Sequence, residues 1–296
     1  MMSQERQTSF GWLVSAELFL SGTGGGVFLT SFILDLLDKY EPVARIGAIL
    51  GPILVLLGAS FLMAELGSKT RLYRLFFNFN LSSWMSRGTW ILTIFIIFGL
   101  AYSLPAFKAF DWLPWSKGAA LGMGIGIVAA LFSVLVTVYT GFLLGVVKGI
   151  PFWNTPILPP LFFLSGLYTG IAIILVIALF YKTTLGVAGF HQLGVAGIVL
   201  ILMYLLALGS YLEVARHSDV SSVESVRLLK TPLFIGGASI VGLLVPLCLL
   251  SYSLVISDML ILSILAGVSG VLLLTGGAFQ RHCIIRAGVF LPLYST

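Results

Sequence analysis

Charge is what this sequence has least of. Asp, Glu, Lys and Arg make up 9% of its 296 residues, where a soluble domain carries about a quarter. With 59% hydrophobic residues and a mean hydropathy of +1.10, the chain reads as a polytopic membrane protein. Cysteine is nearly absent. Cys248 and Cys283 have no CxxC spacing, which excludes a disulfide framework and a cysteine-held iron–sulfur centre, and Cys248 reads as a small buried core residue. Histidine numbers three. A b-type haem needs axial ligands inside facing helices, whereas His191, His217 and His282 fall at or beyond the ends of apolar runs. No cluster of Cys, His and carboxylates has metal-site spacing, so neither haem nor metal is expected in this chain. There is no long basic run either. The net charge of +5 fits loops near anionic lipid or an acidic partner and argues against nucleic acid. No internal repeat is evident, which leaves inverted-repeat transporter architecture unsupported. The first apolar run is too long for a signal-peptide core and has no small-x-small cleavage site, so it is expected to stay in the mature protein.

What the chain does have is apolar runs, one after another, with short polar joints. They predict an all-α membrane bundle, one polytopic domain over 1–296, with eight spans: Gly11–Leu37, Val43–Leu66, Gly88–Phe110, Lys117–Val147, Ile157–Tyr181, Leu193–Val214, Pro232–Ser253 and Leu254–Phe279. Pro52 and Pro246 lie inside spans and are expected to kink them. Eight spans put both termini on one side. That side then carries Arg6, Lys69, Arg71, Arg74, Arg87, Lys148, Arg216, Arg227, Lys230, Arg281 and Arg286, and the opposite side Lys39, Arg45, Lys108, Lys117 and Lys182. The asymmetry favours cytoplasmic termini. Four of the basic residues cluster in one loop, and without them the bias is small.

Three polar features interrupt the apolar pattern. The run from Asn78 to Trp90 holds Asn80, Ser82, Ser83, Trp84 and Arg87. It reads as an interfacial turn with an aromatic belt or as a cap over a buried site. The loop Pro151–Pro160, with Trp153 and Asn154, reads by itself as a proline-stiffened turn with an interface anchor. In the first span, Glu17 lies about 9 Å along the helix from Gly11, at a depth similar to that of Tyr139 in the fourth. The carboxylate is either interfacial and wet or buried with a partner. Behind it, Ser21-Gly22-Thr23-Gly24-Gly25-Gly26 suits close helix packing, or leaves bare backbone for a flat ligand. Asp35, Asp38, Glu65 and Glu213 sit at span ends and read as solvated or paired with Arg71, Arg74 or Arg216.

Two of these blocks carry a family resemblance. Asn78-Phe79-Asn80-Leu81-Ser82-Ser83-Trp84-Met85-Ser86, preceded by Glu65-Leu66-Gly67 and the basic aromatic patch around Arg71 and Arg74, resembles the signature of the NrfD/PsrC family. These are the membrane subunits of polysulfide reductase and related molybdoenzyme complexes. Lys69-Thr70 stands where the family has Arg-Pro. Phe152-Trp153-Asn154-Thr155-Pro156, with Tyr139-Thr140-Gly141 upstream, is a second match.

The resemblance implies a quinone- or quinol-binding membrane anchor subunit of a multi-subunit oxidoreductase in the prokaryotic inner membrane. Such a subunit has no redox cofactor of its own. It exchanges electrons with a ferredoxin-like iron–sulfur subunit that serves a molybdopterin-type catalytic subunit. The quinone, menaquinone or ubiquinone, is then expected near Tyr139, Glu17, Gly22, Gly25, Trp84, Trp153 and Asn154, with Glu17 as proton acceptor or donor. Glu17 stands where polysulfide reductase has histidine. Arg71, Arg74, Asn80, Ser82, Ser83 and Arg87 are the expected docking residues. The corresponding partner of polysulfide reductase is periplasmic, whereas the charge bias here favours the cytoplasm. The residues by themselves also fit a secondary transporter whose substrate meets Glu17 and the glycine run.

Overall fold

A computed structural model describes residues 6–7, 10–66, 84–107, 110, 112–115 and 119–291. Among them the architecture is all helical; the sole β feature is an isolated antiparallel bridge between Arg6 and Val289. Among the described residues, seven helical segments are long and apolar enough to cross a membrane. They contain α1 (Trp12–Leu36), α2 (Glu41–Leu66), α3 (Trp84–Ser103), α4 (Ala120–Gly145), α5 (Leu158–Ala178), α6 (Lys182–Arg216), a π-helical stretch Leu233–Leu244 that runs into α8 (Val245–Ser253), and α9 (Met259–Arg286). The short α7 (Val220–Leu229) follows α6.

The fifth segment joins α5 and α6 into 59 residues, Leu158–Arg216. At 1.5 Å per residue a straight helix of that length would span about 88 Å, far more than the roughly 30 Å of a bilayer core. It is not straight. A 3₁₀ turn at Leu179–Tyr181 and Gly186, at φ 64° and ψ 175°, fold α6 back against α5. Only glycine adopts that backbone without strain.

Helix α1 is the centre of the bundle, packed against α2, α4, α5 and α9. Every residue from Ser21 to Phe28 is buried, which a helix achieves only when neighbours surround it. The glycine run allows this closeness. A Cβ on Gly24 would lie 2.6 Å from the Gly51 carbonyl of α2, and one on Gly26 1.9 Å from the Gly166 carbonyl of α5. Small residues bring helix backbones together in this way where lipid offers no hydrophobic drive. Towards the end away from the motif loops, Phe28, Phe32, Phe95 and Tyr102 form an aromatic cluster. Leu56, Ile97, Leu131, Leu202, Leu206 and Val271 point outward and form part of the lipid-facing surface.

Several boundaries differ from the sequence reading. Helix α9 does not stop at Phe279 but continues to Arg286, carrying Gln280, Arg281 and His282 inside the helix. Helix α6 begins at Lys182, not Leu193. Cys248 is exposed while Cys283 is buried, a correction to the core role expected of Cys248: an apolar thiol satisfies a lipid-facing position as well as a packed one. Pro52 lies inside α2, where Gly99 of α3 faces its ring. Pro246 stands where the π-helix turns into α-helix. A proline ring clashes with the carbonyl four residues back, and the wider π turn relieves that clash.

One end of the bundle gathers distant parts of the chain. Gln7 N–H donates to the Gly288 carbonyl at 3.1 Å, and Leu291 N–H donates to the Gly149 carbonyl at 2.9 Å. Ser221 of α7 donates to the Phe290 carbonyl. The two ends of the described residues thus meet beside the Pro151–Pro160 loop.

Candidate functional site

Just inside that end, α3 and α4 run antiparallel and bring two residue pairs together. Trp84 stacks on Phe142 with ring centroids 4.8 Å apart and planes at 15°. One turn deeper, Tyr139 fills the space left by Gly88, where an added Cβ would lie 1.9 Å from its ring. Tyr139 is 2% exposed and its hydroxyl has no hydrogen-bond partner. A buried hydroxyl left unpaired costs about 1–3 kcal/mol, which marks this position as one needing an explanation. The Arg87 guanidinium lies over Trp84, 4.9 Å from the ring centroid, a cation–π geometry.

Beside the Trp84–Phe142 stack is a cavity of about 730 Å³, walled by Trp84, Phe142, Lys148, Asn154, Pro156 and Phe163 among others. Its lining is mostly aromatic and aliphatic with a polar rim, the usual constitution of a small-molecule site. Val138 and Phe142 line it; Tyr139 lies between them on the same helix, with its ring against Gly88. Asn154 is exposed and also borders a smaller cavity of about 150 Å³ towards α7.

Glu17 of α1 is completely buried. Its Oε1 accepts a hydrogen bond from Ser21 at 3.2 Å, while Oε2 has no partner. Gly58 of α2 gives Ser21 its room. The charge of Glu17 is close enough to bear on both Tyr139 and Arg281. Arg281 of α9 is 1% exposed. Its Nη2 donates weakly, at 3.4 Å, to the Phe162 carbonyl and to Ser165. The guanidinium lies over the Phe162 ring, and Nε and Nη1 are unpartnered. Around it, Tyr168 donates to Gln280 at 3.0 Å and packs edge-on against Tyr204.

The sequence-derived candidates are therefore distributed over several places. Glu17 and Gly22 lie in the interior with Arg281, whose Nη1 would be 2.4 Å from a Cβ on Gly22. Gly25 faces the Ser133 carbonyl of α4. Trp84 and Asn154 line the large cavity. Trp153 does neither: it is fully buried, donates from Nε1 to the Ile284 carbonyl at 3.1 Å and meets Phe10 edge-on. Arg71, Arg74, Asn80, Ser82 and Ser83 lie outside the described residues. His191 contacts the Ile256 carbonyl, His217 contacts Glu213 and His282 contacts Ser15. Glu213 also pairs with Arg216, as read from sequence, whereas Asp35 accepts a hydrogen bond from Tyr102.

Arg281 was missed from sequence. Its signal is the apolar Cys283-Ile284-Ile285 that follows it, which shows the helix burying side chains beyond the polar triplet. Gly88 and Phe142 were also missed, because their roles depend on the α3–α4 register.

Comparison with known proteins gives the family. The family described as "Polysulphide reductase, NrfD" matches residues 1–292. The C subunit of polysulfide reductase from Wolinella succinogenes is 28% identical over 258 residues, covering 80% of this chain and 81% of the relative. Protein NrfD of Escherichia coli is 29% identical over 187 residues, 56% of this chain and 58% of the relative. A NrfD homolog of Haemophilus influenzae is 26% identical over 266 residues, 80% of this chain and 81% of the relative. With the match running almost end to end, this multi-pass membrane protein of the bacterial inner membrane belongs to the polysulphide reductase NrfD family.

Proposed function

We propose that the protein is the quinone- or quinol-binding membrane subunit of a respiratory oxidoreductase complex. Family membership supports the coarser statement, a membrane subunit of such a complex. One observation carries the finer one. Two buried polar atoms have no partner, Tyr139 Oη and Glu17 Oε2. They lie within electrostatic reach of each other, and Tyr139 shares α4 with Val138 and Phe142, which line an apolar cavity of about 730 Å³. A quinone head group presents oxygens on a flat apolar ring: its carbonyl accepts from an unpaired hydroxyl such as Tyr139, and a quinol hydroxyl donates to an unpaired carboxyl oxygen such as Glu17 Oε2.

When bound, the quinone supplies two-electron, two-proton chemistry at those oxygens. The residues of this protein bind and orient it. Tyr139 donates a hydrogen bond from Oη, and Glu17 takes or gives a proton at Oε2. Trp84 and Phe142 cover the ring and exclude water. Gly22 and Gly25 contribute by letting α9 and α4 approach α1. The iron–sulfur partner, a ferredoxin-like subunit serving a molybdopterin-type catalytic subunit, docks at the end that carries Arg87 and the Pro151–Pro160 loop.

The same reading includes eight crossings with both termini on that side. The folded-back α5 and α6 support two crossings within the fifth segment. The Arg6–Val289 bridge supports a shared side for the termini.

Photolabelling with an azidoquinone in native membranes tests the assignment. Label in the peptides bearing Trp84 or Phe142, competed by unlabelled quinone, is the expected result. Competed label found only in the other subunits of the purified complex would refute it.

A further inference from the structure

Among the described residues the buried interior contains one carboxyl group and one guanidinium, Glu17 and Arg281. Their partners are otherwise neutral: Ser21 for the acid, and the Phe162 carbonyl, Ser165 and the Phe162 ring for the base. The two groups do not touch, since Glu17 Oε2 and Arg281 Nε and Nη1 have no hydrogen-bond partner. Each nevertheless lies within the electrostatic reach of the other. Arginine keeps its proton in proteins, so α9 carries a fixed positive charge in the bundle interior. Isolated charges are very costly in such a medium, and Coulomb attraction acts there over several ångströms with little screening.

We propose that Arg281 is the fixed counter-charge of Glu17, a positioning residue that keeps the Glu17 carboxyl ionised inside the membrane. Gly22 sets the geometry, because any side chain at that position would displace the guanidinium. Other titratable groups facing this region are Tyr139 from α4, Tyr168 from α5, Tyr204 from α6, and His282, whose Nδ1 is 3.3 Å from Ser15 Oγ. The tyrosines are neutral, and α2 presents no buried charge among its described residues. The pairing deepens the proposed function, because an ionised Glu17 is a base ready for a quinol proton, and it rests on that reading only for this last step.

Infrared spectroscopy of the purified protein without quinone reads the pairing directly. At neutral pH the wild type and Glu17→Gln should show the same protonated-carboxyl C=O region. Arg281→Gln should gain a band that Arg281→Lys lacks and that the double variant Glu17→Gln/Arg281→Gln removes. Quinol turnover should fall at least tenfold through kcat in Arg281→Gln and be largely retained in Arg281→Lys. A protonated-carboxyl band in the wild type that disappears in Glu17→Gln would overturn the proposal. So would an unchanged spectrum in a folded Arg281→Gln protein. Should Arg281→Gln fail to fold, the wild-type comparison with Glu17→Gln still decides, and recovery of folding in the double variant is then the expected result. Because these spectra contain no quinone, they stand or fall separately from ligand binding. Should the site bind no quinone, the photolabel would fail while the infrared result held.

Discussion

Gly88→Ala is the substitution that most sharply probes the packing around Tyr139. The added methyl would lie 1.9 Å from Cζ and 2.1 Å from the hydroxyl oxygen of Tyr139. Carbon atoms in contact sit about 3.5–4.0 Å apart, so the ring or α3 must move by about 1.5–2 Å. Neither moves freely, because the ring is buried and the Trp84–Phe142 stack closes the next turn. Overpacking of this kind costs about 1–3 kcal/mol. In a Tyr139→Ala background the clash is gone. The same Gly88→Ala change should then be neutral, or stabilising by up to about 1 kcal/mol through helix propensity. Thermal unfolding of the four proteins in detergent measures the cycle, and a coupling of at least about 1 kcal/mol is expected. An equal cost of Gly88→Ala in both backgrounds would show that α3 and α4 do not pack in this register.

Trp153→Phe should lower thermal stability by about 1–3 kcal/mol, since it strands the buried Ile284 carbonyl, while quinol-analogue affinity, measured by titration, stays unchanged. Gly26→Ala should abolish accumulation of folded protein in the membrane, because its Cβ would lie 1.9 Å from the Gly166 carbonyl. Gly124→Ala, with nothing within 4 Å of the added atom, should accumulate normally on the same blot. Topology reporters fused at Met1 and Thr296 should report the same side of the membrane, and opposite sides would exclude an even number of crossings.

The bundle was legible in the sequence because lipid imposes long apolar runs whose lengths hydropathy reads directly. What hydropathy averages away is which face a polar residue takes. Gln280-Arg281-His282 looks like the end of a span, yet α9 runs on to Arg286 and turns Arg281 inward. The start of α6 was hidden for a related reason: Gly186 turns the chain without a polar break. Trp153 looks like an interface anchor until its N–H is seen to reach a carbonyl 131 residues away, a contact no local pattern encodes. Glu17 and Tyr139 stand out in the sequence because a carboxylate and a motif tyrosine at matching depth are rare features in an apolar chain. Their burial, and the companion charge at Arg281, needed the packing of α1 against α4 and α9.

The most direct test of the central claim is the affinity of a fluorescent quinol analogue for membranes carrying the wild type, Tyr139→Phe or Glu17→Gln. Tyr139→Phe removes one hydrogen bond worth about 1 kcal/mol and should bind about fivefold more weakly. Glu17→Gln removes the charge of the acceptor and should weaken binding at least as much, with both variants remaining folded and inserted. Wild-type affinity in both folded variants would contradict the claim that this pair of residues holds the quinone.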